Sequence, residues 1–258
     1  MTRPIDTNCA LCHELRPLEN SHIIPEFMYE ALYDDKHRFH VLTTRTEARN
    51  TTKQKGIREH LLCACCERKL SKYERYGSLL FNGGTPPTYR REGDVLVVSG
   101  IDYLQFKLLQ LSILWRASIC TLPFFAEVQL GPHQERIRKL LLSGNPGAFD
   151  LYPCLMWGLQ LEFGKPLALM IPPKKHRTDG KTHFVFVFGS FLWNFHVSNQ
   201  PLSAPWSRLP IQEDGTAIIQ VKHVSELPGV DEFVSELVRL GRHPNLRLLE
   251  PKDESPQE

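Results

Sequence analysis

The chain has 258 residues, 41% of them hydrophobic and 23% charged, with a formal net charge of +2. This composition excludes wholesale disorder and a strong global field drawing the protein to nucleic acid or membrane, so any basic surface has to be local. At ~100–150 residues per domain, one large or two modest domains are expected.

Seven cysteines are too few, and odd in number, for a disulfide scaffold. Residues 1–12 hold no apolar core of a signal peptide. The most apolar stretch, 101–125, is interrupted by Lys107, Gln110 and Arg116, which are costly at membrane depth. The expectation is a soluble cytoplasmic protein without a membrane partner, in which paired cysteines hold metal rather than each other.

In chain order, a cysteine pair at Cys9 and Cys12 precedes a strand over 15–25, closed by Pro25. Apolar residues at helical spacing follow over 27–33 (Phe27, Met28, Ala31, Leu32), then a polar, basic loop over 37–58 with room for short strand pieces. Cys63, Cys65 and Cys66 open a helix over 66–81, and Asn82-Gly83-Gly84-Thr85-Pro86-Pro87 stops it and marks a boundary. Beyond it, the stripe Leu104, Leu108, Leu111, Trp115, Ile119 predicts a helix over 103–120, and a shorter helix spans 133–142. The period then changes to that of strands over 154–163, 167–171, 183–197 and 217–221, with a turn at Asp179-Gly180, before a last helix over 231–240. Cys120 and Cys154, alone in apolar surroundings, read as small core residues.

The predicted fold class is α+β: a zinc-binding module over residues 1–85, a helix-plus-antiparallel-sheet domain over 86–249, and an acidic tail over 250–258.

Cys9-x2-Cys12 and Cys63-x2-Cys66 are two knuckles, each able to present two thiolates to a tetrahedral zinc ion. Four thiolates close the coordination sphere, which makes such a zinc structural. Cys65 is a spare thiol that could exchange with either neighbour, though the two-residue spacing favours Cys63 and Cys66. Glu67, at the start of the following helix, lies where a carboxylate is favoured by the helix dipole.

Cys9-x2-Cys12, then Ser21-His22-Ile23-Ile24-Pro25, then Leu62-Cys63-x2-Cys66-Glu67 resembles the HNH endonuclease family in its zinc-stabilised form, over roughly the first third of the chain. The resemblance implies a treble-clef, ββα-metal module that cleaves DNA. It implies His22 as the general base that activates water, and a catalytic divalent ion (magnesium, manganese or zinc) bound through the positions of Ser21 and Glu67. Ser21 stands where the family carries an acid or histidine, and the family's middle asparagine has no counterpart among Arg58, Glu59 and His60. Asn20, Glu59, His60 and Glu74 are the remaining candidates for the missing ligand.

Residues 36–58 contain seven Lys or Arg against the single acid Glu47, and the helix beyond adds Arg68, Lys69, Lys72 and Arg75. Lys53, Lys55, Arg58, Lys69 and Lys72 are the candidate nucleic-acid contacts, acting through phosphate neutralisation. Lys174-Lys175-His176-Arg177 reads as a hairpin tip. Three readings stand: a metal-dependent HNH nuclease acting on DNA, by analogy part of a bacterial restriction or anti-phage system; an inactive zinc module that binds nucleic acid; and a zinc-stapled module that binds a regulatory protein or a second copy of the chain.

Overall fold

The computed structural model describes residues 6–34, 36–41, 51–160 and 170–227, with the isolated positions 232, 235, 236 and 239. Arg45, Arg49 and the acidic tail lie outside the described residues, as do most of the expected strand over 167–171 and helix over 231–240.

The first quarter is built from β1 (Asp6–Asn8), β2 (Leu15–His22), a 3-10 helix (Glu26–Leu32), β3 (Phe39–Val41), β4 (Thr51–Lys53), β5 (Arg58–Cys63) and α1 (Ala64–Phe81). β2 is the centre of a three-stranded antiparallel sheet, with β1 on one side and β5 on the other; β3 and β4 form a separate pair. The apolar run after Pro25 closes as a 3-10 helix, not the α-helix that its spacing suggests.

The rest of the chain adds β6 (Thr88–Glu92), β7 (Val95–Ser99), α2 (Tyr103–Ile119), α3 (Pro132–Ser143), β8 (Cys154–Gln160), β9 (Ile171–Thr178), β10 (Lys181–Phe188), β11 (Phe191–Val197) and β12 (Ala217–His223). Seven of these strands form one sheet in the order β6-β7-β12-β8-β11-β10-β9. Its pairs are antiparallel except β12 with β8, so the expectation of an antiparallel sheet needs one correction. A parallel neighbour requires a crossover, and β12 reaches β8 only after the chain has run out through the hairpins of β9 to β11 and back.

Two strand assignments change. The stretch 183–197 is not one strand; it folds back at Gly189 and Ser190, whose φ of 58° and 64° suit a tight hairpin. The basic run Lys174-Lys175-His176-Arg177 is not a hairpin tip but the body of β9, and the turn itself is Asp179-Gly180, with φ of 50° and 75°. β9 contains Pro172 and Pro173, which hide it from a strand search; its place at the sheet edge leaves their missing N–H groups without consequence.

α2 departs most from its sequence pattern. Leu104, placed on the apolar stripe, is exposed, whereas every residue from Phe106 to Ala117 is buried, Lys107, Gln110 and Arg116 included. The helix packs against α1 on one side and α3 on another, while Phe106 and Gln110 reach Trp193 and Met156 of the large sheet. A helix covered all round has no solvent stripe to display. One buried cluster runs from Cys9 to Ala217 and draws in residues from both sides of the 82–87 turn. No helix among the described residues is long and apolar enough to cross a membrane.

Lys107 is held by the Tyr152 carbonyl at 2.8 Å, and burial pulls its ammonium down to about 8 from the ordinary 10.5, against smaller opposing pulls from Cys154 and Asp150. Between those two values the unfolded chain binds the extra proton, so this group adds stability as pH rises from 8 toward 10.5. Over the whole window the gain is on the order of 3 kcal/mol. Urea denaturation across that range is expected to show a rise in the wild type relative to Lys107→Met; parallel curves would refute the assignment.

Candidate metal centre and catalytic cluster

The metal centre starts from two tight turns. In the first, the His13 N–H donates to the Cys9 carbonyl at 2.8 Å, and His13 takes a φ of 65° as the chain reverses toward β2. In the second, Cys63 is the last residue of β5 and the N-cap of α1, which places Cys66 in the first helical turn. The β2–β5 pairing joins the two, with Leu18 opposite Cys63. The Ala10 N–H donates to the Leu61 carbonyl at 3.0 Å, and the Cys63 N–H to the Cys9 sulfur at 3.3 Å. The sulfurs of Cys9, Cys12, Cys63 and Cys66 consequently lie within 4.8 Å of one another, a group that could hold a metal ion such as zinc.

The donor set suits a soft divalent ion. Burial raises the Cys12 and Cys66 thiols, and neighbouring thiols push Cys66 higher still. At Cys9 burial acts the same way, but backbone N–H groups from Cys12, Cys63 and Leu11 outweigh it and lower the thiol. A cation shared by four sulfurs relieves that mutual repulsion. Cys65 points away: it is exposed, with Arg16 and Arg68 at 3.6 and 3.4 Å from its sulfur.

A second cluster forms at the far end of β2. His22 Nε2 lies 2.5 Å from Glu26 Oε2 as a close pair without hydrogen-bond alignment, and neither atom has a hydrogen-bond partner among the described residues. Glu26 comes from the first turn after Pro25, four residues on, and its other oxygen accepts from the Tyr33 hydroxyl at 2.5 Å. Arg58, opposite His22 in the β2–β5 register, approaches Glu26 to 3.6 Å, and His37 to 3.8 Å. Buried Gly56 makes the approach feasible. A Cβ there would sit 2.8 Å from the Tyr29 ring, 3.0 Å from Glu26 Oε2 and 3.1 Å from His22 Cδ2.

The electrostatics follow from these neighbours. Burial lowers His22 below its ordinary value and Arg58 adds to that, while Glu26 pulls the other way. Glu26 is desolvated too, but Tyr33, His22 and Arg58 together keep it below the usual carboxylate range. The cluster at neutral pH is therefore a neutral imidazole against an ionised carboxylate.

Arg116 reaches this region from α2. Fully buried, it donates to the His22 carbonyl and pairs with Glu74, both at 2.6 Å. Glu67 lies in its field: burial raises this carboxyl, with the Ser21 hydroxyl and Arg116 acting in the opposite sense, and its Oε1 has no hydrogen-bond partner among the described residues.

Of the residues expected at the site, the structure brings His22 and Arg58 to one carboxylate that the sequence reading did not name, Glu26, while no group of metal ligands forms around Ser21 and Glu67 among the described residues. The Ser21 hydroxyl turns to the Glu19 carbonyl at 3.4 Å. Among the described residues, the four cysteines are the one set of three or more His, Cys, Asp or Glu side chains that converge closely enough for an ion. Glu59 is spent on Thr121, accepting from its N–H at 2.8 Å and its hydroxyl at 2.7 Å; His60 faces the Leu18 carbonyl at 3.1 Å. Lys53, Lys55 and Lys72 are exposed, whereas Lys69 is drawn to the Leu142 carbonyl. Glu26 and Arg116 escape sequence reading. The His-x3-Glu spacing of His22 and Glu26 is a faint signal for the first, and nothing local points to the second. Comparisons with models of known protein families, with curated proteins and with solved structures match nothing to this chain.

Proposed function

We propose that this protein is an HNH-type nuclease that hydrolyses phosphodiester bonds in DNA, with a structural zinc on Cys9, Cys12, Cys63 and Cys66. The observation that carries the reading is the contact of His22 with Glu26 at 2.5 Å, beside Arg58 and one strand away from the four-cysteine centre. The first knuckle, the β2–β5 pair and a helix that begins in the second knuckle support a treble clef for the first quarter.

Glu26 fixes the imidazole proton on Nε2 and leaves Nδ1 as the basic atom. A neutral His22 then takes the proton of an attacking water as its oxygen bonds to phosphorus and the bond from phosphorus to one sugar oxygen breaks, the leaving oxygen taking a proton from solvent. Arg58 brings positive charge to where the anionic phosphodiester must sit. Arg116 is a positioning residue: its hold on the His22 carbonyl fixes the end of β2. Ser21 and Glu67 do not fit a bound divalent ion, so no step is routed through one.

One observation favours the second reading, a zinc module that binds nucleic acid without cutting it. Glu67, the position the resemblance gives to the catalytic ion, is half-buried in the field of Arg116. Purified protein incubated with supercoiled plasmid, with magnesium or manganese and with chelator, separates the two. Nicking by the wild type and not by His22→Ala supports the nuclease; binding without nicking leaves the module; equal nicking by both proteins is contamination and removes the nuclease reading.

Binding should be salt-dependent through Lys53 and Lys55. Each phosphate contact contributes about 0.9 to the slope of log K against log salt. Lys53→Gln with Lys55→Gln is expected to weaken DNA binding and flatten that slope by about 2. Arg58 is left out because it faces Glu26. An unchanged slope would return both lysines to plain solvated positions.

A further inference from the structure

His37 stands in the catalytic cluster without a part in the chemistry above. Its Nε2 lies 3.8 Å from Glu26 Oε1, while His22 Nε2 lies 2.5 Å from Glu26 Oε2. Two imidazoles thus meet the two oxygens of one carboxylate, each keeping Nδ1 for another partner. The His37 ring stacks on Tyr33, with centroids 3.8 Å apart and planes 23° from parallel. Tyr33 in turn donates to Glu26 Oε1 at 2.5 Å.

Asp34 builds the turn that presents this ring. Its carboxylate accepts from the Lys36 and Arg38 N–H groups at 3.0 and 2.9 Å and pairs with the Arg38 guanidinium at 2.8 Å. The His37 N–H donates to the Asp34 carbonyl at 2.8 Å. His37 takes a φ of 55° there, a left-handed conformation that is unfavourable for a residue with a Cβ and collects at functional sites. Its side chain is nonetheless 68% exposed, so packing does not account for its place.

We propose that His37 is the general acid of the cleavage reaction: it hands the leaving sugar oxygen the proton that solvent ultimately supplies. This rests on the nuclease reading and refines it. Displacement at phosphorus places the entering and leaving oxygens roughly in line, on opposite sides, and each histidine serves one side. His22 takes a proton from water as the water oxygen bonds to phosphorus. The phosphorus–oxygen bond to the sugar breaks, its electron pair stays on the leaving oxygen, and an N–H of the His37 imidazolium gives that oxygen its proton. Neutral His37 regains a proton from solvent, and His22 loses one to it. The charged and titratable groups around His37 are His22 on β2, Glu26 and Tyr33 after it, Arg58 on β5, and Asp34, Lys36 and Arg38 in its own turn. Loss of the His37 proton lowers the rate at the alkaline end of the pH profile.

The test compares two leaving groups. A sugar alkoxide needs a proton as it departs, whereas 4-nitrophenolate leaves as a stable anion. His37→Asn removes the imidazole and keeps a residue type found at such a φ. It is expected to slow cleavage of a DNA oligonucleotide by about 10²-fold or more and to keep most of the rate on thymidine 5′-(4-nitrophenyl phosphate). His37→Gly serves the same purpose if the asparagine variant folds poorly. His22→Ala removes the base and should slow both substrates. Equal slowing of both substrates by His37→Asn, or full activity on DNA, would overturn the proposal and leave the nuclease reading in place. A wild type that cleaves neither substrate, or a His22→Ala variant as active as the wild type, would remove both.

Discussion

Replacing Cys12 by serine, or stripping the protein with a strong chelator, is expected to unfold the first quarter of the chain. Structural zinc contributes on the order of 10 kcal/mol in small domains, which is comparable to the whole stability of an average domain. Here the four cysteines tie the β1–β2 turn to the start of α1, and Leu11, Ile23, Leu62 and Leu70 are buried between those elements. A loosened knuckle would release that packing together. The measurement pairs elemental analysis with limited proteolysis: one zinc per chain in the wild type, none in Cys12→Ser, and new cleavage within the first quarter of the variant. Cys65→Ser is the internal control, because Cys65 is exposed and outside the sulfur cluster. A folded, metal-free Cys12→Ser protein would show that the four thiols are ordinary core residues.

The features legible in the sequence share one property: each has a local pattern. The paired knuckles announce themselves by spacing, and α1, α2, α3, β8 and β12 by period. What stays hidden depends on tertiary context. The prolines of β9 are tolerated only because the strand is an edge, a fact fixed by the topology. Lys107 and Arg116 read as charged interruptions of an apolar stretch, yet both are buried, because α2 is covered from Phe106 to Ala117 and each cation finds oxygen partners there. Glu26 follows Pro25 in the sequence and looks like a first-turn charge; only the bend of the chain after β2 lays it against His22. The candidate site was thus half visible: its histidine and its cysteines follow from motif, while the carboxylate and the buried arginine that complete it come from elements the motif does not describe.

His22→Ala should lower the rate of DNA cleavage by about 10²–10⁴, the usual contribution of a general acid–base group. The rate alone would not separate chemistry from folding, so the pH profile carries the argument. A general base works when deprotonated, and cleavage should rise with pH through the His22 pKa and then level off. Burial and Arg58 hold that pKa below the ordinary 6.5, so the midpoint of the wild-type acid limb should fall on the acid side of that value. Glu26 acts against them, raising the pKa by its negative charge. Glu26→Gln removes that contribution, and the acid limb is expected to move to lower pH while the plateau rate falls through loss of imidazole orientation. Arg58→Gln removes a contribution of the opposite sign, so its acid limb should move to higher pH. A merely structural role for either residue would lower activity without displacing the limb. Shifts in the same direction, or no shift in either variant, would mean that His22 is not the group whose deprotonation limits the reaction.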